Sequence, residues 1–287
     1  MKKYILSNGE YNGRKLDLGF INTESEIISI DIDKKMMIFK KFIYEDTINN
    51  KVYTLNHLDK NSNCFDERFI MPEYLAHYKD KVVGFIMNYV DGINFGTYLD
   101  DVGFPHQEKV KHLYEIGVLL EDLKKIRKNP KLANFYIGDL QERNFILNKK
   151  TGKLNICDLD SCSIGNNSHS YSKYLCCSYG VDKFKNKYPK VDDKYIPNIN
   201  SDIYCYVILI LNYLYYGYVE DMNISEYNQF LNYLDSLKSF GKRLYSKEFL
   251  DVISKIYSND DNINPYMLLD SISEKALRKT RKFQICK

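Results

Sequence analysis

The 287-residue chain contains no tryptophan, only 6 prolines and only 14 glycines. This scarcity excludes a collagen-like or linker-like chain, and a content of 44% hydrophobic and 28% charged residues is typical of a globular protein. An excess of one charge is also missing, because 41 Lys and Arg face 38 Asp and Glu and leave a net charge of +3. Such a balance gives no general attraction to nucleic acid or to a membrane, so we expect neither partner.

The chain has seven cysteines, but they lack the spacing of a zinc site or of a disulfide framework. Their number is odd and no Cys-x-x-Cys pair occurs, which favours a reduced, cytoplasmic protein. The most apolar run, residues 203–216, is interrupted by Asn212 and is shorter than the roughly 20 residues of a membrane span. The N-terminal residues turn polar at Ser7, which is too early for a signal peptide.

The first third of the chain predicts β-strands. Residues 26–32 and 36–42 are rich in Ile, Met and Phe and are separated by a short polar turn, which predicts a hairpin. Residues 46–60 are polar and predict a helix, and residues 82–90 predict a further strand that ends at Asp91.

The remainder of the chain predicts mainly helices. Apolar residues recur every three or four positions over 106–128, which indicates an amphipathic helix. Two short strands are predicted at 144–147 and 154–159, and helices follow over 201–282. The fold class is therefore α+β, with a small strand-rich part before a larger helical part.

Three oxygen-bearing side chains stand at the ends of the two short strands. Asp139 and Asn144 lie five residues apart at the edge between a loop and the first strand, and Asp158 lies at the end of the second. Pairing of the strands in a hairpin would bring these residues together. Carboxylate and amide oxygens are ligands that Mg²⁺ prefers, and phosphoryl transfer uses such a set to hold metal and to orient a hydroxyl.

These residues give the chain a resemblance to the protein-kinase-like superfamily. Asp139-Leu140-x-x-x-Asn144 matches the catalytic-loop pattern of that superfamily. Asp158-Leu159-Asp160-Ser161 stands where the metal-binding Asp-Phe-Gly is found, and its Asp-x-Asp-Ser form is closest to bacterial eukaryotic-like Ser/Thr kinases.

Further matches occur in the family's order along the chain. Residues 36–40 resemble the third strand with its lysine, and residues 85–92 resemble the fifth strand and the hinge beside adenine. Tyr188-Pro189-Lys190 resembles the end of an activation segment, and Asp202 resembles the aspartate that anchors the catalytic loop. The resemblance implies a two-lobed kinase-like fold, with a small antiparallel-sheet lobe over 1–90 and a helical lobe over 91–287.

The resemblance also implies roles for individual residues. Asp139 would position the acceptor hydroxyl, and the metal would be held by Asn144 and Asp158. Asp160 stands where the family has glycine; in an extended segment it would share a face with Asp158 and add a ligand, and the alternative is that it caps the loop that begins at Ser161. The adenine would lie beside Met87, Tyr89 and Val90, under a phosphate-covering loop that contains Gly19.

The phosphate-pairing lysine is assigned to Lys40 by strand alternation. Lys40 shares a face with Ile38, whereas Lys41 would bring Phe39 into the nucleotide site. The expected helical Glu partner is missing between residues 46 and 66, which leaves Glu45, Asp59 and Glu73 as options.

Two further departures concern the loops. Only Gly19 fits the glycine-rich pattern of the phosphate-covering loop, so the loop is expected to hold phosphate less well. Ile137-Gly138 replaces the usual His-Arg, and we therefore expect activity that does not depend on phosphorylation of residues 161–200. His169 and the serines of 168–172 are alternative self-modification sites in that segment.

The expected function is ATP- and Mg²⁺-dependent phosphoryl transfer to a hydroxyl. A protein Ser/Thr kinase is the first choice, because residues 161–200 resemble a peptide-docking segment, although Gln141 replaces the usual lysine. The Gly138-Asp139 pair also resembles small-molecule kinases of the aminoglycoside and choline type. A catalytically inactive kinase-fold binding module is the third hypothesis. The sequence indicates no oligomeric state.

Overall fold

The computed structural model of the protein describes residues 1–16, 24–165, 190–191, 194–195, 199–255 and 272–284. The strands within these ranges are β1 Lys2–Ile5, β2 Ser25–Ile32, β3 Lys35–Phe42, β4 Pro72–Tyr78, β5 Lys81–Asn88, β6 Gly92–Asn94, β7 Phe145–Asn148, β8 Leu154–Ile156, β9 Lys190–Val191, β10 Lys194–Tyr195, β11 Lys238–Ser239 and β12 Lys242–Arg243. The α-helices are α1 Asn8–Tyr11, α2 Ile48–Lys60, α3 Phe95–Asp100, α4 His106–Ile126, α5 Ile199–Tyr215, α6 Ile224–Ser236, α7 Lys247–Lys255 and α8 Glu274–Thr280. The α+β class expected from the sequence is confirmed.

A five-stranded sheet of order β1-β4-β5-β3-β2 occupies the N-terminal part. The predicted hairpin is confirmed, since β2 and β3 pair antiparallel across a turn in which Asp33 and Lys34 have φ values of 50° and 64°. Positive φ at both turn residues is the geometry that matches the twist of a tight hairpin.

The expectation of a purely antiparallel sheet was wrong at one edge. Residues 2–5 form β1, which the sequence pattern did not predict, and β1 runs parallel to β4 with Lys2 opposite Tyr74. The sheet is mixed because this short N-terminal segment pairs with a strand some 70 residues away. Local periodicity carries no information about such a distant pairing.

The two faces of the sheet bury different groups. Met37 and Phe39 of β3 face one apolar cluster with Ile86 of β5. Ile38 and Phe42 face the other side, where they pack with Leu55 of α2. Lys40 lies between Ile38 and Phe42 in this alternation, so its side chain is directed to the face that α2 covers.

The C-terminal part is organised around α5, whose residues Cys205, Tyr206, Val207 and Ile208 are completely buried. A helix that is apolar on all sides is expected at the centre of a helical core, and α4 packs against it. Tyr206 fixes this contact because its hydroxyl donates to the Leu113 carbonyl at 2.9 Å. Within the described residues, each helix is too short or too polar to cross a bilayer.

A small three-stranded sheet of order β6-β7-β8 lies between these two parts in sequence. The Asn148–Lys153 turn joins β7 to β8, as the two short predicted strands required. Backbone bonds from Ile156 to Arg68 and from Ile70 to Ile156 tie β8 to the segment before β4. The ends of β7 and β8 therefore lie next to the five-stranded sheet, where the candidate site forms.

Candidate active site

The loop before β7 is held in place by Asp202 of α5. Oδ2 of Asp202 accepts from the Ile137 N–H at 3.1 Å, and Oδ1 accepts from the Gly138 N–H at 2.8 Å. Gly138 has φ of 73°, a left-handed conformation that glycine adopts without steric strain. Burial raises the pKa of Asp202 to about 6, although both N–H donors and the charge of Arg127 oppose this shift. The expected anchoring contact is thus present.

Asp139 follows this anchored pair and bonds to neutral amides. Its Oδ2 accepts from Gln141 Nε2 at 2.8 Å and from Asn144 Nδ2 at 3.0 Å. Asn144 Nδ2 also donates to the Asp139 carbonyl at 2.7 Å. Oδ1 of Asp139 is buried and has no hydrogen-bond partner among the described atoms. Burial, together with the charge of Asp158, raises the pKa of Asp139 to about 7.

Lys40 lies where two acidic side chains meet. Its Nζ donates to Oδ1 of Asp158 in a short contact and to Oδ1 of Asp160 at 2.7 Å. Lys41 points away, since its Nζ pairs with Glu26 at 3.2 Å and lies 4.0 Å from the centre of the Tyr11 ring. The structure therefore directs Lys40, and not Lys41, to the site.

The acidic partners of Lys40 come from the turn after β8 and not from α2. Asp59 pairs with the Met1 amino group at 2.7 Å, and Glu73 accepts from Asn88. Two of the options that the sequence left open, Asp59 and Glu73, thus have partners other than Lys40. The turn Leu159–Ser161 packs against α2, which brings its own carboxylate within reach of Lys40.

Asp160 has two lysine partners. While its Oδ1 binds Lys40, its Oδ2 accepts from Lys51 Nζ of α2 at 2.8 Å. Lys51 also reaches Glu24 at 3.1 Å. Asp160 was predicted as a metal ligand, but in the structure each of its carboxylate oxygens accepts from a lysine ammonium group.

The charges in this group shift one another's pKa. Burial alone would raise the pKa of Asp160, but the charges of Lys40 and Lys51 hold it well below its usual value. Burial likewise lowers the pKa of Lys40, but the charges of Asp158 and Asp160 outweigh that effect and raise it. For Asp158, whose side chain is 27% exposed, burial raises the pKa against the attraction of Lys40.

A cavity of about 390 Å³ opens beside these groups. Its apolar walls come from both sheets and the segments that flank them, namely Leu16, Ile27, Ile38, Ile70, Met87, Val90 and Ile146. Lys40, Asn144, Cys157 and Asp158 line its polar part, and Tyr89 follows β5 along its lining. Of the predicted site residues, the cavity thus collects Lys40, Met87, Tyr89, Val90, Asn144 and Asp158.

The remaining predicted residues lie beside the cavity or outside the described ranges. Asp139 reaches it through Asn144, and Asp160 lies behind Lys40. Gly19, His169, residues 168–172 and Tyr188-Pro189 fall outside the residues that the structure describes.

Lys51 is the site residue that the sequence reasoning missed. It lies on the buried face of α2 with Thr54, Leu55 and Leu58, at a spacing of three, four and seven positions. A lysine in an otherwise buried stripe is rarely tolerated without a counter-charge. The position of Lys51 in this buried stripe could therefore have indicated a buried acidic partner.

The donor set suits a divalent cation shared with phosphates. No group of three His, Cys, Asp or Glu side chains arranged for a metal occurs among the described residues. Mg²⁺ is commonly held by one or two protein oxygens, with phosphates and waters completing its shell. Asn144 Nδ2 donates to Asp139, and Asn144 lines the same cavity as Asp158, so these two residues are the ones that could hold such a cation. In comparisons with known proteins, no protein-family model matches the chain and no curated protein matches its sequence.

Proposed function

We propose that the protein is an ATP- and Mg²⁺-dependent phosphotransferase with a two-lobed, kinase-like fold, which transfers a phosphoryl group to a hydroxyl. One observation carries the proposal. A single cavity has apolar walls and a polar part that joins Lys40, Asn144 and Asp158, with Asp139 bonded to Asn144. A base, oxygen ligands and a cation near one another are the parts that this reaction requires.

The shape of the cavity supports a nucleotide. Its volume of about 390 Å³ lies within the range of roughly 300–1,000 Å³ that is usual for small-molecule sites. Ile27, Ile38, Met87 and Ile146 offer apolar contacts for an adenine ring. Tyr89 and Val90 would offer it their backbone groups, so the phosphates would extend toward Lys40.

Asn144 and Asp158 are the residues that would hold the metal. Mg²⁺ would neutralise part of the phosphate charge, as it does in phosphoryl transfer generally. Asp158 now bonds to Lys40, so a bound cation would replace this ammonium as its partner. Lys40 would then be free to contact the phosphates.

Asp139 would orient the acceptor hydroxyl and accept its proton. Its Oδ2 is fixed by two amide donors, while its Oδ1 has no partner among the described atoms. A carboxylate with a pKa near 7 is suited to general-base work at neutral pH.

A thermal-shift experiment tests nucleotide binding. ATP should raise the Tm of the wild type, and the increase should be larger with Mg²⁺ than without it, because a ligand that binds only the folded state stabilises it. Asp158→Asn should keep the Mg²⁺-free increase and lose the additional effect of Mg²⁺. No increase with either form of ATP would remove the proposal.

Transfer itself is tested with radiolabelled ATP and fractionated extracts. Label in the protein fraction supports a protein acceptor, and label in the small-molecule fraction supports the aminoglycoside or choline type of acceptor. Asp139→Asn serves as the background control in each fraction. Binding of Mg-ATP without label in either fraction supports the inactive binding module, which is favoured by the absence of an acidic partner for Lys40 on α2.

A further inference from the structure

A chain of alternating charges crosses the interior between α2 and β3. Glu24 contacts Lys51 at 3.1 Å, Lys51 contacts Asp160 at 2.8 Å, and Asp160 contacts Lys40 at 2.7 Å. Lys40 then contacts Asp158 at the cavity. The members of this chain come from distant parts of the sequence, so its continuity depends on the folded arrangement.

The middle of the chain is its most deeply buried part. The Asp160 side chain has no exposed surface, and the Lys40 and Lys51 side chains are 5% and 8% exposed. A buried charge is costly unless it is paired, and here each oxygen of Asp160 has its own lysine. Removal of either lysine would leave a carboxylate oxygen without its charged partner.

We propose that Asp160 and Lys51 are positioning residues: Asp160 holds Lys40 at the phosphate end of the cavity, and Lys51 fixes Asp160 from α2. This inference rests on the proposed function. Asp160 is then a partner of the lysine and not a metal ligand, and Asp158 alone exchanges Lys40 for a cation.

The Lys51 ammonium couples the position of α2 to the position of Lys40 in the cavity. Lys51 lies on the face of α2 that also buries Leu55 and Leu58. The position of the Lys51 ammonium is therefore fixed by the packing of α2. A shift of α2 would move Asp160 and, through Asp160, Lys40. The acidic group that holds Lys40 belongs to the same turn as Asp158, so both partners of Lys40 move as one unit.

Charge exchange at positions 51 and 160 provides a sharp test without nucleotide. Lys51→Glu would place a carboxylate against Asp160 and Glu24, and we expect it to lower the Tm by roughly 5–15 °C. Asp160→Asn should also lower the Tm in the wild-type background, because two lysines lose their shared partner. In the Lys51→Glu background the same Asp160→Asn change should raise the Tm, because it removes a carboxylate pair and leaves the introduced acid for Lys40. Lys60→Glu, an exposed change on the same helix, should leave the effect of Asp160→Asn unaltered.

Ligand binding tests the positioning itself. Asp160→Asn and the milder Lys51→Met should weaken binding of Mg-ATP at least tenfold, about 1.4 kcal/mol, while adenosine affinity stays within about twofold. A merely structural defect would weaken both ligands. The Mg²⁺ concentration that gives half of the ATP response should not change in Asp160→Asn.

Three results would overturn the inference. They are an Asp160→Asn effect on Tm of the same sign in both backgrounds, a Mg-ATP affinity unchanged in both variants, and a Mg²⁺ requirement shifted about tenfold in Asp160→Asn, which would make Asp160 a metal ligand. If the wild type binds no ATP, the proposed function fails, and the reversal of sign in Tm still decides whether the ion chain couples positions 51 and 160.

Discussion

The candidate site has two sides, which stabilise their carboxylates with different kinds of partner. The acceptor side belongs to the loop before β7 and comprises Asp139, Gln141 and Asn144. The lysine side joins β3, α2 and the turn after β8 and comprises Lys40, Lys51, Asp158 and Asp160. Among the described residues, Asp139 accepts side-chain hydrogen bonds only from amides, and its pKa is raised to about 7 by burial and by the charge of Asp158. Asp160 is buried as well, yet its two lysines hold its pKa well below the usual value.

The comparison teaches that burial alone does not set the charge of a side chain. An amide donates a hydrogen bond but brings no positive charge, so it offsets desolvation only in part. Two ammonium groups outweigh it at Asp160, whereas the single ammonium that contacts Asp158 does not, because the pKa of Asp158 is still raised to about 6. The acceptor side therefore retains a carboxylate that can take up a proton near neutral pH, whereas Asp160 on the lysine side keeps its charge.

The largest effect is expected on the lysine side, from Asp158→Asn. The variant should fold, because the amide has the same shape and Lys40 keeps Asp160. If the proposed function holds, turnover should fall by at least about a thousandfold, roughly 4 kcal/mol of transition-state stabilisation, because the proposed metal site would lose its carboxylate. Transfer from radiolabelled ATP measures this loss. Asp251→Asn, at an exposed position of α7, is the control, and wild-type turnover in Asp158→Asn would remove Asp158 from the site.

Lys40→Met and Lys41→Met compare neighbouring lysines of one strand. Lys40→Met leaves Asp158 and Asp160 without their shared cation, and we expect a loss of roughly 3–5 kcal/mol in the free energy of unfolding. Lys41 has a partly exposed partner, Glu26, and its loss should cost about 1 kcal/mol or less. Urea denaturation of both variants measures the difference. Equal losses of stability in the two variants would show that the buried ion pairs of Lys40 contribute no more than the partly exposed pair of Lys41.

The acceptor side should show the opposite behaviour, with a gain of stability from Asp139→Asn. The folded pKa of about 7 lies above the ordinary value of 3.8, so the unfolded chain releases its proton first. Wild-type stability is therefore lost as the pH rises from about 4 to about 7. Asn avoids this loss, and its advantage should grow by up to about 3 kcal/mol between pH 5 and pH 8.

Unfolding of the wild type and Asp139→Asn in urea at several pH values measures this difference. A constant gap between wild type and Asp139→Asn would mean that Asp139 stays ionised throughout, and the two sides of the site would then not differ in protonation.

The smallest effect is expected from Gly138→Ala, beside Asp139. A left-handed backbone costs a non-glycine residue roughly 1–2 kcal/mol. Gly152→Ala, in the exposed turn between β7 and β8, has φ of 65° and no atom within 4 Å of the added carbon. Gly138→Ala should cost at least as much stability as Gly152→Ala, because Gly138 is buried and Gly152 is exposed, but only Gly138→Ala should reduce transfer. Equal rates of transfer in the two variants would mean that the conformation at Gly138 does not affect the reaction.

Much of the fold follows from local patterns. The apolar runs on either side of Asp33 and Lys34 predicted the hairpin, and the period over 106–128 predicted α4 to within two residues at its end. Strand alternation also directed Lys40 to the site, because Ile38 and Phe42 share its face. These features depend on neighbours within a few positions, which a sequence shows directly.

The features that local patterns did not predict depend on distant pairing. β1 joins β4 through residues near the start of the chain and near position 75, and no periodicity relates them. Similarly, the contact between Lys51 and Asp160 spans 109 positions. The sequence could have indicated that Lys51 needs a buried partner, but the identity of that partner required the fold that places α2 against the turn after β8.

The bonds from Ile137 and Gly138 to Asp202 have a consequence for how the protein tolerates change. Asp202 belongs to the deeply buried helix α5, so its hydrogen bonds fix the loop that contains Asp139 to that helix. A substitution in the far interior of α5 that rotates the helix slightly would tilt the loop with it. Variants selected for altered turnover should therefore arise among core residues of α5 as well as among residues that touch the cavity.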